Sequence, residues 1–149
     1  MRLVVQRVLG ASVEIREELI AEIEKGLLVY LGVGNEDTMA NVDYLVNKVL
    51  GLRIFEDKTG KMSLNLLQVG GAILLVSQFT LYGDSRKGYR PSFSKAAFPE
   101  KAIKLYQNFV DKCIRRKIQI KTGLFREMMK IRSINDGPVT LLLDSSKLF

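Results

Sequence analysis

The stretch Ala72-Ile73-Leu74-Leu75-Val76-Ser77-Gln78-Phe79-Thr80-Leu81-Tyr82 decides how the rest of the chain is read. Its first five residues are apolar without interruption, the pattern of a strand buried on both faces. Ser77, Gln78 and Thr80 then bring three hydrogen-bonding side chains in among Phe79 and Leu81. A buried polar group without a partner costs about 1–3 kcal/mol. Three in apolar company therefore either line a pocket or satisfy backbone at a strand end, and this stretch alone leaves both readings open.

Towards the N-terminus, Gly26 introduces Leu27–Val33, a second strand of the same buried kind. Leu3–Val8 and Ala11–Ile15 read as two strands across a turn at Gly10, and Leu19–Ile23 as another. Asn35 and Asp37 are N-cap candidates for a helix in which Val42, Leu45, Val46 and Val49 form one apolar stripe and Gly51 marks the end. Leu52–Phe55 is a short strand before the turn Glu56–Lys61. Past Tyr82, Gly83–Ser92 reads as a polar, basic surface loop directly behind the focal stretch, a common place for binding residues. A solvated charge run is the alternative for Arg86, Lys87 and Arg90. Pro99 opens a second helix, striped by Ala102, Leu105, Tyr106, Phe109 and Cys113. Ile118–Thr122, Met129–Arg132 and Val139–Leu143 read as closing strands, the last preceded by the turn Asn135-Asp136-Gly137-Pro138. The expected fold class is α+β, a single domain over residues 1–149 with a mostly antiparallel, barrel-like β-sheet and two main amphipathic helices.

Composition narrows the chemistry. The chain has no histidine and one cysteine, which excludes Ser-His-Asp and Cys-His nucleophile systems and the common zinc ligand sets. An all-carboxylate metal site is left open by composition, but no tight cluster of Asp and Glu suggests one. Cys113 lies in a helix stripe and reads as a small core residue. No apolar run approaches the roughly 20 residues of a membrane span. Arg7 falls too early for a signal segment, and a lone cysteine fits a reducing compartment, so a cytoplasmic location with no membrane partner is expected. Net charge is +7, and between Lys101 and Arg132 ten Lys or Arg face only Asp111 and Glu127. Such clustering is the footprint of a polyanion partner such as RNA, with a merely solvated basic surface as the alternative.

Two separated motifs carry a resemblance. Ser77-Gln78-Phe79-Thr80-Leu81 and Asn135-Asp136-Gly137-Pro138-Val139-Thr140 resemble the signature motifs of the D-aminoacyl-tRNA deacylase (D-tyrosyl-tRNA(Tyr) deacylase) family. The likeness extends over nearly the whole chain, through Val5-Gln6-Arg7-Val8, Gly26-Leu27-Leu28, Leu52-Arg53-Ile54-Phe55, Arg90-Pro91-Ser92-Phe93 and Thr122-Gly123. It implies hydrolysis of the ester joining a D-amino acid to the 3′ end of tRNA, and also of glycine mischarged on tRNA(Ala), as a chiral proofreading step. It implies a homodimer with active sites at the subunit interface, tRNA as partner, and no metal or cofactor. Ser77, Gln78, Phe79 and Thr80 become the expected catalytic residues. Gly137 and Pro138, joined by a cis bond in that family, become the expected chiral filter, with Arg7 bracing them and Met129 beside the substrate.

Two departures stand out. The family pattern has Phe-Gly-Ala after its Thr-Gly, where this chain has Phe125-Arg126-Glu127; a glycine there would serve a positive φ. The hairpin around Glu17-Glu18 also lacks the usual glycines. Without histidine, Thr80 is either a nucleophile or a positioning group. No base stands beside it in either motif, which favours positioning, with the ribose 2′-hydroxyl of the substrate activating water. The rival readings are a non-catalytic tRNA-binding protein, an editing domain for L-amino acids, and a peptidase or amidase. The Gly-Pro motif argues against the second, and the missing base and basic charge against the third.

Overall fold

The computed structural model describes residues 1–148. Its sheet is built on one long strand, β1 (Arg2–Ile15), which pairs antiparallel with β2 (Glu18–Ile23) and β3 (Gly26–Gly32) along one edge. Helix α1 (Met39–Gly51) and the small hairpin β4 (Phe55–Glu56) and β5 (Met62–Leu64) follow, then β6 (Ala72–Ser77). Helix α2 (Pro99–Arg115) crosses to β7 (Ile120–Thr122), and β8 (Lys130–Asp144) returns antiparallel along the other edge of β1. The main sheet runs β2-β1-β3-β6-β7, and its β2 end curls back beside β6 and β7, nearly closing a barrel.

The expected α+β domain with a barrel-like sheet and two amphipathic helices is what forms, with one correction. The sheet is mixed: β3–β6 and β6–β7 pair in parallel. Each parallel pair is bridged by a helix, α1 for the first and α2 for the second, as a parallel connection requires. The β3–β6 approach is tight where it begins: a Cβ on Gly26 would sit 1.9 Å from the Ala72 carbonyl oxygen, so only glycine fits there.

Burial on both faces explains the apolar run that opens β6. Ile73 and Leu75 face the helices, packing with Leu27, Val29, Leu31, Val42, Val46 and Phe109. Ala72, Leu74 and Val76 face the barrel interior with Val8, Val13, Ile23 and Leu28. Cys113 is fully buried in the helix layer, and burial pushes its thiol up to about 12. Helix α1 is capped by Thr38, whose N–H donates to Asn41 Oδ1 at 2.8 Å, rather than by Asn35 or Asp37. Helix α2 ends in a Schellman pattern: Lys117 has φ 60, and Ile118 N–H donates to the Cys113 carbonyl at 3.1 Å.

Two apparent turns belong to continuous strands. Gly10 lies inside β1, because β8 continues to pair with the chain on both sides of it. Likewise Asn135–Pro138 interrupts β8 without ending it. Gln6 pairs with Thr140 and Val8 with Asn135, so Arg7 alone stands opposite Asp136, Gly137, Pro138 and Val139. The ladder resumes beyond that excursion.

Candidate active site

Strand β6 stops where its polar residues begin. Gln78 N–H donates to the Leu31 carbonyl at 2.8 Å, and Phe79–Tyr82 then fold into a single 3-10 turn. Its first two donors, the N–H groups of Phe79 and Thr80, have no acceptor among the described residues, as at any helix start without a cap. Thr80 and Phe79 are exposed, and the Gln78 side-chain amide donates to Thr80 Oγ1. Ser77 is half-buried at the strand end. All four expected catalytic residues thus share one surface turn with two free backbone donors.

The turn is held from beneath by residues to which the sequence reading gave no part in the site. Arg2 Nη1 donates to the Leu81 carbonyl at 2.9 Å, its guanidinium lies 4.7 Å from the centre of the Tyr82 ring, and its Nε pairs with Asp144 Oδ2 at 3.0 Å. The Tyr82 hydroxyl donates to Asp37 Oδ2 at 3.2 Å, and the same oxygen accepts the Gly34 N–H at 2.6 Å. Burial, reinforced by the Asp37 charge, pushes the Tyr82 hydroxyl well above the usual tyrosine range. Nothing local marks Arg2 or Asp37, since their partners are 79 and 45 residues away.

The second motif is organised around Arg7. Although a charged residue, Arg7 is only 4 % exposed. Its Nε donates to the Asp136 carbonyl at 3.1 Å and pairs with Asp136 Oδ2 at 3.0 Å, while Nη1 donates to the Ile54 carbonyl at 2.7 Å. Asn135 Oδ1 accepts the Val139 N–H at 2.9 Å and closes the neck of the excursion. At its tip Gly137 has φ 122, the Gly137–Pro138 bond is cis, and both residues are exposed. Arg7 therefore braces the motif. Met129 packs on the barrel interior with its sulfur under Gly123.

The two motifs do not meet within one chain. Along the sheet Arg7 is level with Leu27 and Leu27 with Ile73, so the Gly137 tip lies level with the start of β6. Strands β1 and β3 intervene, placing β8 and β6 three interstrand spacings apart, about 14 Å. Gln78 lies five residues further along, about 16 Å at strand rise. Leu142, opposite Val4 and so level with the interval between the motifs, is 59 % accessible. Within one chain the two motifs lie roughly 20 Å apart.

The fold sets the class of protein. A solved structure described as "c-Myc DNA Unwinding Element Binding Protein" has this architecture with a TM-score of 0.91 and 40% sequence identity, covering 97% of this chain and 98% of that one. Another, described as "Structural Analysis of a probable eukaryotic D-amino acid tRNA deacylase", shares the fold with a TM-score of 0.83 at 17% identity, covering 95% and 97%. Sequence narrows this to a family. Residues 4–144 match the D-Tyr-tRNA(Tyr) deacylase family, and the D-aminoacyl-tRNA deacylase of Thermosipho melanesiensis is 59% identical over 151 residues, covering 100% of both chains. The chain belongs to the D-Tyr-tRNA(Tyr) deacylase family, as its two motifs led one to expect, and so to the hydrolases.

Proposed function

We propose that the protein is a D-aminoacyl-tRNA deacylase that works as a homodimer, each active site built from the turn Ser77–Thr80 of one protomer and the Gly137–Pro138 tip of the other. The observation that carries this reading is the separation of the two motifs, both exposed, on a surface that also exposes Leu142 between them. A two-fold axis through that surface makes the contact self-complementary and brings each tip to the other subunit's turn.

In such a site the unpaired N–H groups of Phe79 and Thr80 face the ester carbonyl and stabilise the oxyanion as it forms. A donor so placed contributes about 2.7–4 kcal/mol. Water attacks the carbonyl carbon, the substrate's 2′-hydroxyl assists its deprotonation, and the 3′-oxygen leaves with a proton, releasing free amino acid and tRNA. Thr80, tied to Gln78 and without a base, positions water and substrate instead of attacking. The carbonyl oxygens of Gly137 and Pro138 capture the substrate's amino group and leave no room for an L side chain. A glycyl ester lacks the side chain that is rejected and so passes the same filter, which extends the activity to glycine on tRNA(Ala). A reducing, cytoplasmic setting fits the single buried Cys113.

A chirality-resolved deacylation assay tests the filter: D-tyrosyl-tRNA is hydrolysed and L-tyrosyl-tRNA is not, and equal rates on the two would overturn it. Single-turnover rates test the mechanism. Thr80→Ala keeps substantial activity while a 2′-deoxy terminal adenosine abolishes it; the opposite pattern makes Thr80 the nucleophile. A non-catalytic tRNA-binding protein would bind tRNA in a salt-sensitive way and hydrolyse neither ester.

A further inference from the structure

The loop between the candidate turn and α2 combines features that neither motif explains. It is rooted at both ends. Asp84 and Ser92 exchange backbone hydrogen bonds of 2.8 and 2.9 Å, Asn35 N–H donates to the Lys95 carbonyl at 3.0 Å, and Ala97 N–H donates to the Val33 carbonyl at 2.9 Å. The root lies directly on the turn: a Cβ at Gly83 would sit 3.1 Å from both the Phe93 ring and the Thr80 carbonyl oxygen. Phe93 meets Phe79 edge to face with ring centres 5.0 Å apart, and much of the Phe79 ring faces solvent. An aromatic shelf therefore stands beside Thr80.

The tip of this loop is cationic. Arg86 is held by Asp84 through contacts of 2.8 and 2.6 Å, which also hold the Asp84 carboxyl well below the usual range. Lys87, Arg90 and Lys95 make no ion pair among the described residues, and Tyr89 between them is fully exposed. Cations interleaved with exposed aromatic rings are the pattern used for single-stranded nucleic acid, in which rings stack on bases and cations track phosphates. Helix α2 offers a competing basic surface at Arg115, Arg116 and Lys117. However, its end adjoins the start of β6, through Ile73 N–H bonded to the Gln119 carbonyl, and so lies at the opposite end of that strand from Thr80.

We infer that the Gly83–Lys95 loop is a binding track for the unpaired 3′ end of RNA, with Phe93 as base-stacking platform and Lys87 and Arg90 as phosphate contacts. The inference rests on the deacylase reading for the position of the terminal ester beside Thr80. Its test does not need turnover. Binding of uncharged tRNA and of a fluorescent ACCA ribotetranucleotide is followed by anisotropy across a salt series. Lys87→Ala/Arg90→Ala weakens both about tenfold and lowers the salt slope by about 1.4, two single-strand phosphates' worth. Phe93→Leu weakens the tetranucleotide about tenfold and leaves the slope unchanged, because stacking is uncharged. Unchanged binding in both variants overturns the inference. So does a loss confined to Arg115→Ala/Arg116→Ala/Lys117→Ala, which places RNA at the far end of α2, or binding of anionic vesicles in preference to RNA. A wild-type protein that binds the tetranucleotide as expected but hydrolyses no D-aminoacyl-tRNA refutes the deacylase reading and leaves the track standing.

Discussion

Replacing Gly137 by alanine tests how the second motif is built. An added Cβ would lie 2.8 Å from Val139 Cγ2, 2.9 Å from Arg7 Nη2 and 3.3 Å from Val139 N, at a φ of 122 that L side chains rarely adopt. The backbone misfit alone costs about 1–3 kcal/mol. Arg7 has little freedom to yield, since its Nε and Nη1 hold Asp136 and Ile54 in a buried setting. Losing one such charge-assisted bond adds about 1.5–3 kcal/mol. The expected total of roughly 2.5–6 kcal/mol is below the stability of most domains, so the protein folds, with Tm lowered by about 5–24 °C. Differential scanning calorimetry reads the shift, and D-tyrosyl-tRNA hydrolysis falls with it, because the displaced tip no longer fits its site. Arg7→Met gives the partner cycle: if the clash is with Arg7, the double variant loses clearly less than the sum of the single ones. A Tm within 1 °C of wild type, or strict additivity, refutes the reasoning.

Other expectations follow from backbone and burial. The β1–β2 turn carries Arg16 at φ 50 and Glu17 at φ 69, a two-residue hairpin that normally demands Asn-Gly, so Glu17→Gly should raise stability by about 1 kcal/mol in urea titrations. Arg126, at φ 67, stands where the family pattern has glycine, and Arg126→Gly should gain a similar amount. Arg2→Met removes the charge contacts to Leu81 and Asp144 while keeping a long side chain; kcat should fall more than Tm, and an unchanged kcat would show that Arg2 does not position the turn. Cys113, Tyr82 and Tyr106 all keep their protons to higher pH in the folded state because burial disfavours their anions. Above about pH 9 the unfolded chain therefore binds fewer protons than the native one. Stability should decline with rising pH at up to about 1.4 kcal/mol per unit for each such group, and a flat urea midpoint between pH 8 and 10.5 would contradict this.

The sequence made some of these features legible and hid others, for physical reasons. Two-sided burial in β3 and β6 and the stripes of both helices depend on local pattern, and they emerged as read. The parallel pairing did not, although its signal was present for the first pair: α1 lies between two strands buried on both faces, an arrangement that suits a crossover connection. Gly10 and Asn135–Pro138 looked like strand ends because turn chemistry is local, whereas the pairing that carries β1 and β8 through them is not. Asp37 resembled a helix cap but is held by Gly34 and by Tyr82, 45 residues away. Arg126 carries the positive φ that the family's glycine would serve. Met129 was grouped with the filter from resemblance, and in the single chain it packs under Gly123.

The abrupt end of β6 has a consequence for exchange and adaptation. Ile73, Leu74 and Leu75 are sealed on both faces, yet Phe79, four residues beyond Leu75, is exposed and its N–H has no acceptor among the described residues. Amides of β3 and β6 should exchange with solvent only on global opening, while those of Phe79 and Thr80 exchange through small local fluctuations. The candidate turn would then exchange far faster than the buried strand it ends. Substitutions at the exposed Phe79 and Thr80 should leave the fold's stability almost untouched.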